Sequence, residues 1–189
     1  MKNVTGLRCV ICQKVYQPDE VLYVCPDHGN EGILDVEYDY DAIRAKIGAA
    51  LPPAAGGMFA YRPFLPVAEH LPAPPLLVGG TPLQAAPRLA EEAGVAELWL
   101  KDDGRNPTAS LKDRASAVAI MKAQELGAEI VTTASTGNAA AALAGLAASV
   151  GQKTVIFVPK SAPAAKIAQL LVYGATVLLV EGSYDDAFD

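Results

Sequence analysis

No run in this 189-residue sequence reaches the roughly 20 apolar residues that a bilayer-spanning helix needs. Blocks of like charge are missing too. The 15 basic and 21 acidic residues are interspersed, and the net charge of -6 leaves no cationic stripe for a polyanion. No membrane or nucleic-acid partner is therefore expected. The opening "MKNVTGLRCVICQKVY" lacks the apolar core of a secretory signal, which predicts a cytoplasmic protein. Neither G-x-G-x-x-G nor G-x-x-x-x-G-K-[ST] occurs, which tells against nicotinamide and nucleotide chemistry. Cysteine is scarce: the chain has three, all within the first 25 residues. An odd number so clustered fits metal ligation better than a disulfide framework.

What is present divides into three regions. Residues 1–39 place Cys9, Cys12, Cys25 and His28 as C-x2-C, twelve residues, then C-x2-H. This is zinc-ribbon-like spacing: two knuckles present ligand pairs, and the hairpin-forming "KVYQPDEVLYV" between them can close a tetrahedron. The competing reading is of isolated thiols in a short arm that ends in an ordinary "CPDHG" turn. A structural zinc would supply folding energy that so short a segment cannot draw from a core. Residues 40–75, with "ALPPAAGG" and "LPAPP", read as a linker or irregular wrap with one short helix near "DAIRAKIGAAL".

From residue 76 to 189 the pattern becomes α/β. Apolar runs "ELWLKDD", "EIVTTA", "KTVIFVP" and "TVLLVEG" alternate with helical segments at 111–126, 138–150 and 163–173. Continuous rather than alternating runs predict strands buried on both faces, hence a parallel sheet covered by helices. The helix "NAAAALAGLAASV" is small and apolar all round, which predicts close packing under other structure.

Within this region "NPTASLKDR" follows a strand and opens a helix near Ser110, so Lys112 falls in the first turn. There the positive end of the helix dipole disfavours an ammonium and favours the free amine that Schiff-base chemistry requires. Arg114 would push the same way, and Asp113 would oppose it if close. Taken alone, such a motif is more often a charged, solvated first turn. Ser135, Thr136, Gly137 and Asn138 form a strand-to-helix turn whose N–H groups can converge on a carboxylate, although such turns also serve as plain helix caps.

"GGTPL" at 79–83, "LKDDGRNPTASLKDR" at 100–114, "STGNAAAALAGLAA" at 135–148 and "VEGSYDDAF" at 180–188, behind a cysteine-rich ribbon, resemble the threonine synthase family. These are pyridoxal phosphate enzymes of fold type II, the tryptophan synthase β-like group. The resemblance implies the small domain of that fold and a chain matching the N-terminal portion of the family, with a larger domain continuing beyond it. It implies that Lys112 binds pyridoxal 5'-phosphate as a Schiff base and moves protons, and that Asn138 contacts the cofactor's 3-hydroxyl group. It also implies that Ser135, Thr136 and Gly137 hold the substrate carboxylate. The reaction it implies is the conversion of O-phosphohomoserine and water to threonine and phosphate, by a homodimer when complete, this chain alone being inactive. Lys160, Lys166 and Ser183 are candidates for a substrate phosphate.

Ala109 stands where glycine is usual and Leu111 where phenylalanine is usual, departures expected to bear on substrate preference rather than cofactor use. Another fold type II enzyme (a threonine dehydratase, cysteate synthase or cysteine synthase) stays open, as does a noncatalytic zinc-ribbon and α/β scaffold.

Overall fold

The computed structural model describes residues 3–48, 50 and 54–188. Two compact units emerge: Met1–Pro53 with Tyr61–Leu71, and Ala54–Ala60 with Pro72–Asp189. Part of "ALPPAAGG" lies outside the described residues.

The first unit is built on a three-stranded antiparallel sheet of β1 (Val4–Cys9), β2 (Val15–Tyr16) and β3 (Leu34–Tyr38), in the order β2-β1-β3. Leu7 pairs with Tyr16 and with Val36, which fixes the inner face of the ribbon. The core there is small: Leu7, Cys9, Tyr16 and Cys25, with Val21, Leu34 and Val36 packed against them. Gly6 is demanded by close approach, since a Cβ at that position would lie 2.7 Å from Val15 Cγ1. The expected short helix is α1 (Tyr40–Ile47). Asp39 caps it by accepting the Ala42 N–H at 2.8 Å, and Ile43 is its buried residue.

The second unit carries the parallel sheet, in the order β6-β7-β8, from β6 (Ile130–Ala134), β7 (Lys153–Pro159) and β8 (Thr176–Val180). The helices fall where the pattern placed them: α3 (Lys112–Glu125), α4 (Asn138–Ser149) and α5 (Ala164–Val172), with α6 (Tyr184–Phe188) after β8. Every residue of α4 from Ala140 to Ala147 is buried, as its small, apolar circumference predicts. Gly145 allows that packing, because a Cβ there would come within 2.6 Å of Thr108 Cγ2. Ile120, Leu146, Ile156, Val158 and Leu170 complete the core, each fully buried aliphatic side chain contributing roughly 1.5–3 kcal/mol.

Two expectations need correction. "ELWLKDD" does not join the parallel sheet. Its strand β5 (Trp99–Lys101) pairs antiparallel with β4 (Leu83–Ala85), the two joined across α2 (Pro87–Ala93). A three-residue apolar run fits either kind of ladder, so its hydropathy could not identify the partner. The central strand β7 comes nearest to burial on both faces, with Thr154, Ile156 and Val158 buried on one face and Val155 and Phe157 partly buried on the other. On the flanking strands Ile130, Leu178 and Leu179 stay exposed, because branched apolar residues report strand preference rather than cover.

Each helix that joins parallel strands runs back against them. α4, which joins β6 to β7, therefore begins at the carboxyl edge of the sheet, where open α/β folds place their ligands, and α3, which precedes β6, packs beside it. Lys112 and Asn138 are the first residues of those two helices.

Candidate active site

The loop from Asp103 to Leu111 is held by buried polar side chains. Asn106 accepts the Gly79 N–H on Oδ1 at 2.9 Å and donates from Nδ2 to the Asp103 carbonyl at 3.0 Å. Gly79 suits this junction, having φ +79° and space only for hydrogen, since a Cβ would lie 2.8 Å from both Arg114 Nη1 and Met58 N. Asp113 is wholly buried and accepts from the Thr108 N–H at 2.7 Å and from the Thr108 hydroxyl. Ser110 Oγ accepts the Lys112 N–H at 3.2 Å, satisfying one donor of the first helical turn.

Arg114 grips Asp103 through two nitrogens, Nε to Oδ2 at 3.0 Å and Nη2 to Oδ1 at 2.9 Å, while Thr81 donates its hydroxyl to Oδ1 at 2.7 Å. The fork geometry and the charge make this the strongest polar contact of the loop. The Arg114 guanidinium, helped by the Thr81 hydroxyl, holds the Asp103 carboxyl far below the usual carboxylate range. Because the folded pKa is depressed, this stabilisation is complete above the unfolded carboxyl value of about 3.9 and disappears as pH falls through the lower folded value. Thermal unfolding followed from about pH 5 downward should show the melting temperature falling more steeply for the native chain than for Asp103→Asn below that value.

These contacts correct the expected roles of two neighbours. Asp113 is turned into the loop and Arg114 is occupied by Asp103, so both act as structural clamps. Lys112 differs from them. It is exposed at the head of α3, and among the described residues its Nζ meets no carboxylate and makes no hydrogen bond. Within a loop whose polar groups are otherwise tied down, the amine is left available.

Ala109 has φ +60°, in the left-handed region that penalises a Cβ. The departure from glycine is thus a backbone matter as well as a change of side chain. Ala109→Gly should raise stability by about 1 kcal/mol, read as a higher denaturant midpoint at unchanged m-value.

The second turn follows β6. Ser135 is anchored by its N–H to the Phe157 carbonyl at 3.2 Å, and its Oγ accepts the Gly137 N–H at 3.2 Å. Gly137 is extended, with φ -109°, so conformation does not require glycine there. A Cβ on Gly137 would meet nothing closer than Ser135 Oγ at 4.0 Å, so internal packing does not require glycine either. Its small size leaves open space before the N-terminus of α4. Ser135, Thr136 and Gly137 are half-buried and Asn138 is exposed.

Of the other candidates, Lys160 pairs with Glu181 and Ser183 binds Asp186 at the start of α6, while Lys166 is exposed. An open hollow of about 440 Å³ between α2, β4 and β5 includes none of the residues of these two turns. Sequence reasoning quoted Thr81, Asp103 and Asn106 within its motifs but missed their role as clamps of the loop. Their signal was membership of "GGTPL" and "LKDDGRNPTASLKDR", which does not tell which polar groups meet.

In the ribbon, the ligand atoms of Cys9, Cys12, Cys25 and His28 all lie within 4.8 Å of one another. Cys12 Sγ is 3.9 Å from Cys25 Sγ, while His28 Nδ1 is 3.5 Å from Cys25 Sγ and 3.9 Å from Cys9 Sγ. Tetrahedral bonds of about 2.3 Å to sulfur and 2.0–2.1 Å to nitrogen require edges of roughly 3.5–3.8 Å, so a small contraction would bring the set to the dimensions of a four-coordinate site. Tyr16, whose hydroxyl is 3.1 Å from Cys25 Sγ, and His28 beside it favour the thiolate, bringing the Cys25 pKa down to about 6.

Comparison with known proteins adds the family. Residues 75–189 match a family model described as pyridoxal-phosphate dependent enzyme. The threonine synthase of Methanocaldococcus jannaschii is 41% identical over 184 residues, spanning 96% of this chain and 45% of that protein. That of Methanosarcina acetivorans is 42% identical over 184 residues, with 96% and 44% covered. The chain thus spans a little under half the length of these curated relatives. Among solved structures, maize serine racemase aligns with a TM-score of 0.52 at 27% identity, over 57% of this chain and 32% of that one. The processed form of threonine deaminase isoform 2 from Solanum lycopersicum aligns at 0.50 and 27%, over 57% and 30%. With its freely presented lysine and open strand-to-helix turn at the carboxyl edge of a parallel sheet, the chain belongs to the pyridoxal-phosphate dependent enzyme family.

Proposed function

We propose that this chain forms part of a threonine synthase, which converts O-phosphohomoserine and water to threonine and phosphate. The identity of 41% to a threonine synthase over 184 residues, ribbon and lysine loop included, carries the reading. The chain's residues fit pyridoxal phosphate: at Lys112 an amine unpaired among the described residues, and at Gly137 a space that a side chain would fill.

Lys112 Nζ would hold the cofactor through its aldehyde group, and its amine would carry protons to and from the substrate carbons. Ser135, Thr136 and Gly137 bind the substrate α-carboxylate through hydroxyl and N–H donors, aided by the dipole of α4. Asn138 would hold the cofactor at its 3-oxygen. When bound, pyridoxal phosphate supplies the electron sink that allows phosphate to leave Cγ and water to add at Cβ. The clamps on Asp103 and Asp113 keep the lysine loop in register during these transfers.

The active enzyme works in the cytoplasm and pairs as a homodimer, and the greater length of the threonine synthases it matches leaves room there for the cofactor's phosphate site. The four ribbon ligands bind a structural zinc, since a set rich in thiolates favours zinc over harder ions. The structural likeness to threonine deaminase favours a second reading, an elimination that releases ammonia. Incubating the full-length protein with O-phosphohomoserine separates them. Threonine and phosphate in equal amounts support the synthase, whereas ammonia and a 2-oxo acid formed from added threonine support the deaminase.

A further inference from the structure

The metal cluster has a neighbour that the ligand set does not account for. Tyr16 is 2% exposed in the ribbon core, and its pairing with Leu7 across β1 and β2 fixes it on the inner face. Packing alone would be served by phenylalanine. Yet the hydroxyl lies 3.1 Å from Cys25 Sγ, and among the described residues that sulfur is its one hydrogen-bond partner. Lys14 Nζ sits 4.8 Å from the centre of the Tyr16 ring, where a cation draws electron density from the phenol and strengthens its O–H as a donor.

A dication with three thiolates and a neutral imidazole carries one net negative charge. Cys9 and Cys25 are fully buried, so much of that charge lies away from water and gains from any hydrogen-bond donor. A thiolate ligand has no proton of its own, so in the loaded cluster the Tyr16 hydroxyl must be the donor.

We propose that Tyr16 is a positioning residue of the ribbon's metal site, its hydroxyl donating to Cys25 Sγ and holding that thiolate on the ion. The proposal rests on the reading that Cys9, Cys12, Cys25 and His28 bind zinc. Groups that orient metal ligands typically govern 10–100-fold in affinity, and removing this one leaves a more electron-rich thiolate on a less stable cluster.

The test compares the full chain with Tyr16→Phe, which keeps the ring, and with Leu7→Val, which trims the same inner face without removing a hydrogen bond to a sulfur. Zinc affinity is measured by competition with a chelator, and the thiolate-to-metal charge-transfer band is recorded at saturating cobalt(II). Tyr16→Phe should bind zinc roughly 10–100-fold more weakly and move the cobalt band to longer wavelength, while Leu7→Val leaves the band in place. Unchanged affinity and band in Tyr16→Phe would overturn the proposal, as would an equal band shift in Leu7→Val, since packing would then explain both. A native chain that takes up neither zinc nor cobalt overturns the zinc reading itself, and the proposal with it, an outcome distinct from a Tyr16→Phe that merely equals the native chain.

Discussion

Lys112→Ala in the full-length protein is expected to abolish the visible absorbance of lysine-linked pyridoxal phosphate and to reduce threonine formation by at least roughly 10²–10⁴-fold, the contribution of positioned acid–base transfer alone. Stability should hardly move. The side chain is exposed and makes no polar contact among the described residues, and such surface changes usually stay within about 0.5 kcal/mol. Lys112→Arg should fail equally, because a guanidinium keeps its proton and cannot attack an aldehyde. Asp113→Ala should behave in the opposite way. It leaves the amine in place but strips Thr108 of its buried partner, so the loss appears first in the melting temperature. Absorbance titration with cofactor, beside thermal unfolding of the same variants, tells the reactive group from its support.

Removing metal should have an effect of comparable size on the ribbon. Its core consists of Leu7, Cys9, Tyr16 and Cys25 with three partly buried neighbours, and two of those four are proposed ligands. Structural zinc contributes about 10–16 kcal/mol in zinc-finger peptides, more than so few apolar side chains can supply. Chelation, or Cys25→Ser, should therefore unfold β1, β2 and β3. The helices of the second unit, which pack around their own core of Ile120, Leu146 and Ile156, should persist. Amide hydrogen exchange resolves the two responses. Ribbon amides that stay protected after complete metal removal would mean that the cluster is not the source of the fold's stability. Disulfide formation is not the source either, for all three cysteines are free.

The sequence made the helices around Lys112 and Asn138 readable because caps, strand runs and small-residue packing agree there. The gathering of Cys9, Cys12, Cys25 and His28 was equally readable from two pairs at fixed spacing. Strand partnership was not: "ELWL" has the same apolar signature whether it enters the parallel ladder or, as it does, pairs with Leu83–Ala85. The polar clamps were also hidden. Asp113 and Arg114 read as charges acting on the lysine, but their directions depend on Thr108 and Asp103 being brought to them by a loop. Ala109 illustrates the same limit, since its left-handed backbone is set by that loop rather than by its own preference. Gly137 inverts the case: its identity was legible, but its open surroundings, the best internal sign of a ligand, needed three dimensions.

Covalent mapping of the cofactor tests the central claim most directly. The full-length protein is loaded with pyridoxal phosphate, reduced with borohydride, digested, and analysed by peptide mass spectrometry. The reduced cofactor is expected on the peptide that contains Lys112. A label fixed instead on Lys101 or Lys122, or no labelled lysine in this chain after full loading, would contradict the assignment of Lys112 and the function built on it.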